Sequence, residues 1–236
     1  MKKGQATIFI IIGIIIFIAI VLVLSIPKIT KRTIETERKV IPSQVEPIEN
    51  FIEACIQDTA VTGLQLFGLT GGFPRNTGED FITYYYENGI KIPQLNTLER
   101  NFEIFLQENV PECIGNSYNE YSLDKGIMIS KVKFNPKNII ITTNYPITVA
   151  RDDFKIQLNE FENNFNIRIG YIYTISSKIV ERTALNPSYI DIGYITSIND
   201  LSITVLRDEP NLIYSIQDEF SILDNQPYQF YFGIKP

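Results

Sequence analysis

Three groups of residues in this chain are of a type that does chemistry. The first is a pair of cysteines, Cys55 and Cys113, the only two present. A bridge between them would close about 58 residues and contribute about 4 kcal/mol in the loop-entropy account. The alternative is two separate buried thiols. The second is the triplet Tyr84, Tyr85 and Tyr86. Tyrosine offers a rigid apolar face with a polar tip, so the triplet is a candidate binding surface. On a strand, though, Tyr84 and Tyr86 face one side and Tyr85 the other, which assigns at least one side to the core. The third is a set of adjacent carboxylates, Asp152-Asp153, Asp208-Glu209 and Asp218-Glu219. All three fall near expected turns, where aspartate is favoured by local hydrogen bonding. A glycosidase needs two carboxylates facing each other across a cleft, which neighbours on a turn do not supply.

What is missing narrows the chemistry further. The chain has no histidine, which removes the commonest general base and the commonest metal ligand. Two cysteines are too few for a structural zinc site. Neither a Gly-x-Ser-x-Gly elbow nor a phosphate-binding loop occurs. A Gly71-Gly72 pair has no lysine or arginine motif beside it and reads as a helix C-cap. We therefore expect no enzyme, no cofactor and no metal. The formal net charge is −6, and most of the basic excess lies before residue 40, so the rest is acidic and nucleic-acid binding is not expected.

The elements that must position these groups begin after a distinct start. Residues 8–26 are apolar and uncharged. As a helix they span about 28 Å, close to the hydrocarbon thickness of a bilayer. The run exceeds the apolar core of a cleaved signal and lacks a small-residue exit. Isoleucine dominates it, and in lipid the backbone has no partner but itself, so helix is forced. Basic residues flank both ends (Lys2 and Lys3; Lys28, Lys31 and Arg32) and nearly balance. The short leader and the pairable cysteines favour a cytoplasmic N-terminus with the bulk of the chain outside. Residues 27–44, with charges alternating in sign between Pro27 and Pro42, form a stalk.

Further on, residues 45–69 follow a helical rhythm through Ile48, Phe51, Ile52, Cys55 and Ile56. Asn88-Gly89 predicts a hairpin over 81–92. Asn96-Thr97-Leu98-Glu99 resembles a capping box opening a helix that Pro111 stops. From residue 125 strands dominate. Residues 127–134 and 139–149 flank an Asn135–Asn138 turn, Asp152-Asp153 reverses the chain into residues 154–158, and residues 163–166 read as a loop or bulge. Helical spacing returns over 169–185, a shorter helix ends near 198, and strands follow at 201–206, 212–216 and 228–234.

The start resembles a known pattern. Met1-Lys2-Lys3-Gly4-Gln5-Ala6-Thr7 before a long apolar helix is similar to the archaeal class III signal peptide of type IV pilin-like proteins. That resemblance implies cleavage between Gly4 and Gln5 on the cytoplasmic side, with the helix kept as an anchor or filament core. The acidic residue frequent five places into the mature chain is replaced here by Phe9. The rest looks similar to uncharacterised anchored proteins of archaea, through Glu53-Ala54-Cys55, Gly71-Gly72, the Tyr84–Tyr86 hairpin, Glu112-Cys113 and Tyr145-Pro146-Ile147. This likeness brings no activity with it.

The expected organisation is thus a leader (1–7), a transmembrane helix (8–26) that contacts the lipid bilayer, a stalk (27–44), a helical subdomain with a hairpin (45–117) and a mostly antiparallel sheet with inserted helices (118–236), α+β in class. The expected function is that of a single-pass cell-surface protein whose outer domain binds a protein or envelope partner. The alternative is a pilin-like subunit that self-assembles into a filament.

Overall fold

The computed structural model describes residues 45–72, 81–186 and 189–236. The Gly4-Gln5 junction, the apolar run 8–26 and the stalk 27–44 lie outside the described residues. Among the described residues no helix is long and apolar enough to cross a membrane. The described residues form one compact α+β unit.

Helix α1 (Glu46–Thr70) carries Pro47 in its first turn and buries Ile48, Ile52, Ile56, Leu64 and Phe67, the stripe that the 3.6-residue rhythm predicts. Gly71 ends it at φ 79°, a left-handed conformation, and Gly72 donates to the Phe67 carbonyl at 2.7 Å. Strand β1 (Tyr84–Glu87) follows. The Asn88-Gly89 turn forms, but the expected hairpin shrinks to a single bridge between Tyr86 and Ile90. Instead β1 pairs in parallel with the last strand of the chain. The main ladder of β1 is thus long-range, while the turn keeps two local backbone bonds, from the Lys91 amide to the Tyr85 carbonyl and from the Glu87 amide to the Gly89 carbonyl.

Helix α2 (Leu95–Ile114) starts one residue before the expected cap, with Gln94 as N-cap and no side-chain capping bond. It also runs through Pro111 to include Cys113, where a stop was expected. Glu99 does not reach back to Asn96, because its carboxylate is engaged elsewhere. Glu99 accepts from the Phe134 amide at 3.0 Å, and Glu103, one helical turn on, accepts from the Val132 amide at 3.1 Å. The helix thereby covers two outward amides on the edge of strand β4, those of Val132 and Phe134.

The first sheet to form along the chain holds β2 (Ser117–Tyr118), β3 (Tyr121–Lys125), β4 (Ile129–Phe134), β5 (Ile139–Arg151) and β6 (Phe154–Phe165). All its pairings are antiparallel. β5 is central: β6 runs along one edge, while β4 and β3 share the other, meeting at a shift in register between Asn144 and Ile147. Residues 163–165, expected as a loop or bulge, continue β6 in regular register with Ile139–Ile141. The pairing of β6 along the full length of β5 overrides the weak strand propensity of its asparagines.

Helix α3 (Ile169–Thr183) and the short α4 (Ile192–Thr196) lead to the second sheet. It contains β7 (Ser202–Asp208), β8 (Asn211–Leu223) and β9 (Gln226–Lys235) in the order β1-β9-β8-β7. Asp224 and Asn225 turn β8 into β9 with φ of 50° and 60°. Leu212, Tyr214 and Ile216 on β8 and Phe230, Phe232 and Ile234 on β9 face the core. Phe67 of α1, Phe102 of α2 and Phe134 of β4 complete an aromatic cluster that joins both sheets to the helices. Close approach of α1 to β9 needs glycine: a Cβ at Gly68 would meet the Gln229 carbonyl, and one at Gly71 would lie 2.7 Å from the Tyr231 carbonyl.

Candidate functional site

The two cysteines are bridged, with Cα atoms 5.7 Å apart. Cys55 lies in the middle of α1 and Cys113 in the last turn of α2. The bridge ties the two helices side by side and closes the segment that carries the tyrosine triplet.

The triplet itself divides. Tyr85 is fully buried, donates its hydroxyl to the Gly71 carbonyl at 3.0 Å and stacks on Phe232 at 5.2 Å between centroids. Burial pushes its phenol well above the ordinary tyrosine value. A surface built from the triplet therefore reduces to Tyr84 and Tyr86, both half-buried. Tyr84 lies over Gly233, with the Lys235 ammonium 5.8 Å from its ring.

Among the described residues the densest polar constellation is one that spacing does not single out. Arg168, at the N-cap of α3, grips Asp218 with two hydrogen bonds, Nε to Oδ2 at 2.9 Å and Nη2 to Oδ1 at 2.6 Å. Its Nη1 reaches Asp200 at 2.9 Å, and its main-chain amide donates to the Ser221 hydroxyl at 2.9 Å. Ser221 donates in turn to Asp218 at 2.6 Å, and the Phe220 amide does so at 3.1 Å. Tyr171 donates to Asp200 at 2.8 Å. The rings of Tyr171 and Phe220 lie 4.9 and 5.0 Å from the guanidinium carbon. The cluster joins the start of α3, the turn before β7 and a register shift in β8 between Asp218 and Ile222.

Asp218 and Glu219 thus sit in a strand irregularity, not in the expected turn. A signal for Asp218 was present. It continues the inward alternation Leu212, Tyr214, Ile216, so a charge on that face requires a cation. Which cation it would be was not visible, since Arg168 stands 50 residues away.

Burial alone would push the Asp218 carboxyl up. The bonds from Arg168, Ser221 and Phe220 outweigh it and hold the group below the usual carboxylate range. Asp200 shows the same balance, with burial opposed by Tyr171 and Arg168. Both carboxylates stay ionised near neutrality, and Arg168 is held protonated chiefly by Asp218. Such a group has no proton to exchange near pH 7. What it does is fix geometry: Phe220 is 69% exposed, yet its ring rests on a guanidinium anchored from three sides.

Beside the β8–β9 hairpin lies a depression of about 450 Å³, lined by Gln65 and Leu69 of α1 and by Gln217, Leu223, Gln226 and Gln229 among others. Two of its amides are oriented. Gln229 accepts from the Tyr231 hydroxyl at 2.8 Å, and Gln217 donates to Glu219 at 2.6 Å. This leaves a Gln229 donor and a Gln217 acceptor on neighbouring strands. Asp224 adds one carboxylate to the lining, and among the described residues no lysine or arginine joins it, so the depression offers amide groups beside a single negative charge. Among the described residues no cluster of three potential metal ligands occurs.

Neither a protein-family model, nor a curated protein, nor a solved structure matches this chain.

Proposed function

We propose that this chain is a single-pass membrane-anchored cell-surface protein whose domain from residue 45 onward is an extracytoplasmic, non-catalytic interaction module. The Cys55–Cys113 disulfide carries the proposal, because bridges of this kind persist in oxidising compartments. It stands beside the uncharged run 8–26 at the start of the same chain. The locked Arg168–Asp218–Asp200 group and the amide-lined depression suit recognition of a protein or envelope partner rather than proton transfer. Protease added to intact cells tests the placement: degradation of the domain without cell lysis is expected, and full protection would overturn the proposal.

A second reading is favoured by Lys2-Lys3-Gly4-Gln5, the junction similar to that of type IV pilin-like proteins. In it the chain is cut before Gln5 and its apolar helix packs into a filament. Replacing Gly4 by valine should then leave the leader attached and abolish filaments. Unchanged processing in that variant would rule it out.

A further inference from the structure

The edges of the two sheets are not treated alike. Exposed strand edges invite pairing, and proteins block the ones they must keep apart. On β4 the outward amides of Val132 and Phe134 are taken by Glu103 and Glu99. On β1 the outer side folds back on the following turn, with the Lys91 amide donating to the Tyr85 carbonyl at 2.8 Å. The long edge strand β6 exposes Lys155, Glu160 and Glu162. Strand β7 carries charge only at its end, in exposed Arg207 and Asp208, and none over residues 202–206. It ends the order β1-β9-β8-β7, pairs with β8 over seven residues without a register shift, and no described element hydrogen-bonds its far side.

The phase of the ladder fixes which β7 groups point outward. Gly233 donates to Thr83 on the β1 side of β9, so odd-numbered residues of β9 face β1 and even-numbered ones face β8. Through the register, Tyr214 and Ile216 bond towards β9, while Ile213 and Ser215 bond towards β7, to Leu206 and Thr204. Ile203, Val205 and Arg207 therefore direct their N–H and C=O groups away from the sheet. Ile203 and Val205 also belong to the core-facing side, opposite Ile216 and Tyr214, and both remain half-exposed at the rim.

We propose that β7 is the interface of a two-fold homodimer in which a second copy of this chain adds its own β7 antiparallel, centred on Thr204. In that register Ile203 lies against the partner's Val205 and Thr204 against the partner's Thr204. Outward-facing groups then meet outward-facing groups, and core-facing sides meet core-facing sides. The apolar row Phe230–Ile216–Ile203 of one copy continues into Val205–Tyr214–Phe232 of the partner subunit. The directly paired residues, 202–206, carry no charge, so no like charges are opposed. Centring on Val205 would instead set Ile203 against Arg207. The proposal is independent of either reading under the preceding heading, since it needs only the folded domain.

The full chain in mild detergent provides the test. Both native cysteines are bridged, so Thr204→Cys introduces one thiol. At the centre of the proposed register its Cα lies about 4.5 Å from its mate, within the range that a disulfide spans. Mild oxidation should convert most of this variant to a covalent dimer, at least tenfold more than Thr142→Cys, an exposed position on the central strand β5. Val205→Pro removes an outward amide that the isolated edge does not need, and it should abolish the cross-link while far-UV circular dichroism stays unchanged. Should that variant unfold, sedimentation of the unaltered chain decides, with a dimer expected. A monomeric unaltered chain, or equal cross-linking of the two cysteine variants, overturns the proposal. Cross-linking through Val205→Cys in place of Thr204→Cys overturns the register.

Discussion

Asp218 and Arg168 should behave as one energetic unit. Asp218→Leu removes an acceptor with no solvent exposure, and with it two guanidinium bonds, the Ser221 hydroxyl bond and the Phe220 amide bond. Removing one member of a buried ion pair costs about 3–5 kcal/mol, mostly because the other is left without its counter-charge. Arg168 keeps 20% of its surface and retains Asp200, which places the expected cost near the low end, about 3 kcal/mol. Arg168→Met should cost about the same, since it strands Asp218 in the interior with only Ser221 and Phe220 as donors. The double variant replaces the pair by apolar side chains. It should cost about 3–4 kcal/mol rather than the sum, a coupling of about 2–3 kcal/mol. Urea unfolding of the full chain in mild detergent, followed by tyrosine fluorescence because no tryptophan is present, measures all four corners of the cycle. Additive losses, or an Asp218→Leu cost below about 1 kcal/mol, would refute the view that this cluster joins α3 to the β8 irregularity.

Three further outcomes follow from the same structure. Cys55→Ser should lower stability by about 4 kcal/mol, measured by urea unfolding under non-reducing conditions, since the bridge closes a separation of 58 residues. Gly68→Ala, which in an open helix would stabilise, should cost about 1–3 kcal/mol, because the added methyl meets the Gln229 carbonyl and must displace α1 from β9; the midpoint of thermal unfolding reads the sign. Stability should be flat between about pH 5 and 7 and fall as the pH drops below about 4. Asp218 and Asp200 have native values below the ordinary carboxylate value, so their contribution is present above it and lost as they protonate. The Arg168→Met/Asp218→Leu double variant should lose less on acidification than the parent does.

The helices were legible where a single face had to be buried. The stripe Ile48, Ile52, Ile56 on α1 and that of Ile172, Ile175, Ile179 on α3 have helical period, and Gly71 marks the end of α1. The α+β class and the tight turns at Asp152 and Asp224-Asn225 were legible for the same local reason. What could not be read was anything decided at long range. The Asn88-Gly89 turn signal was correct, yet β1 found its partner in β9, some 150 residues away. Glu99 has the spacing of a capping residue, but an unsatisfied β4 amide claimed its carboxylate. The strands in residues 117–125 were not foreseen, because Ser117-Tyr118 and Tyr121 to Lys125 are short and mixed in polarity. Of the functional residues, the cysteine pairing was legible by count. The Arg168 cluster was not, because its members come from three segments that only tertiary packing brings together.

The intact mass of the protein isolated from native membranes, with thiols blocked on lysis and measured before and after reduction, tests the central claim most directly. An oxidised surface domain predicts that the unreduced protein takes up no blocking group and gains about two mass units on reduction. A chain that carries two blocked thiols before reduction would contradict both the bridge in the living cell and the extracytoplasmic placement.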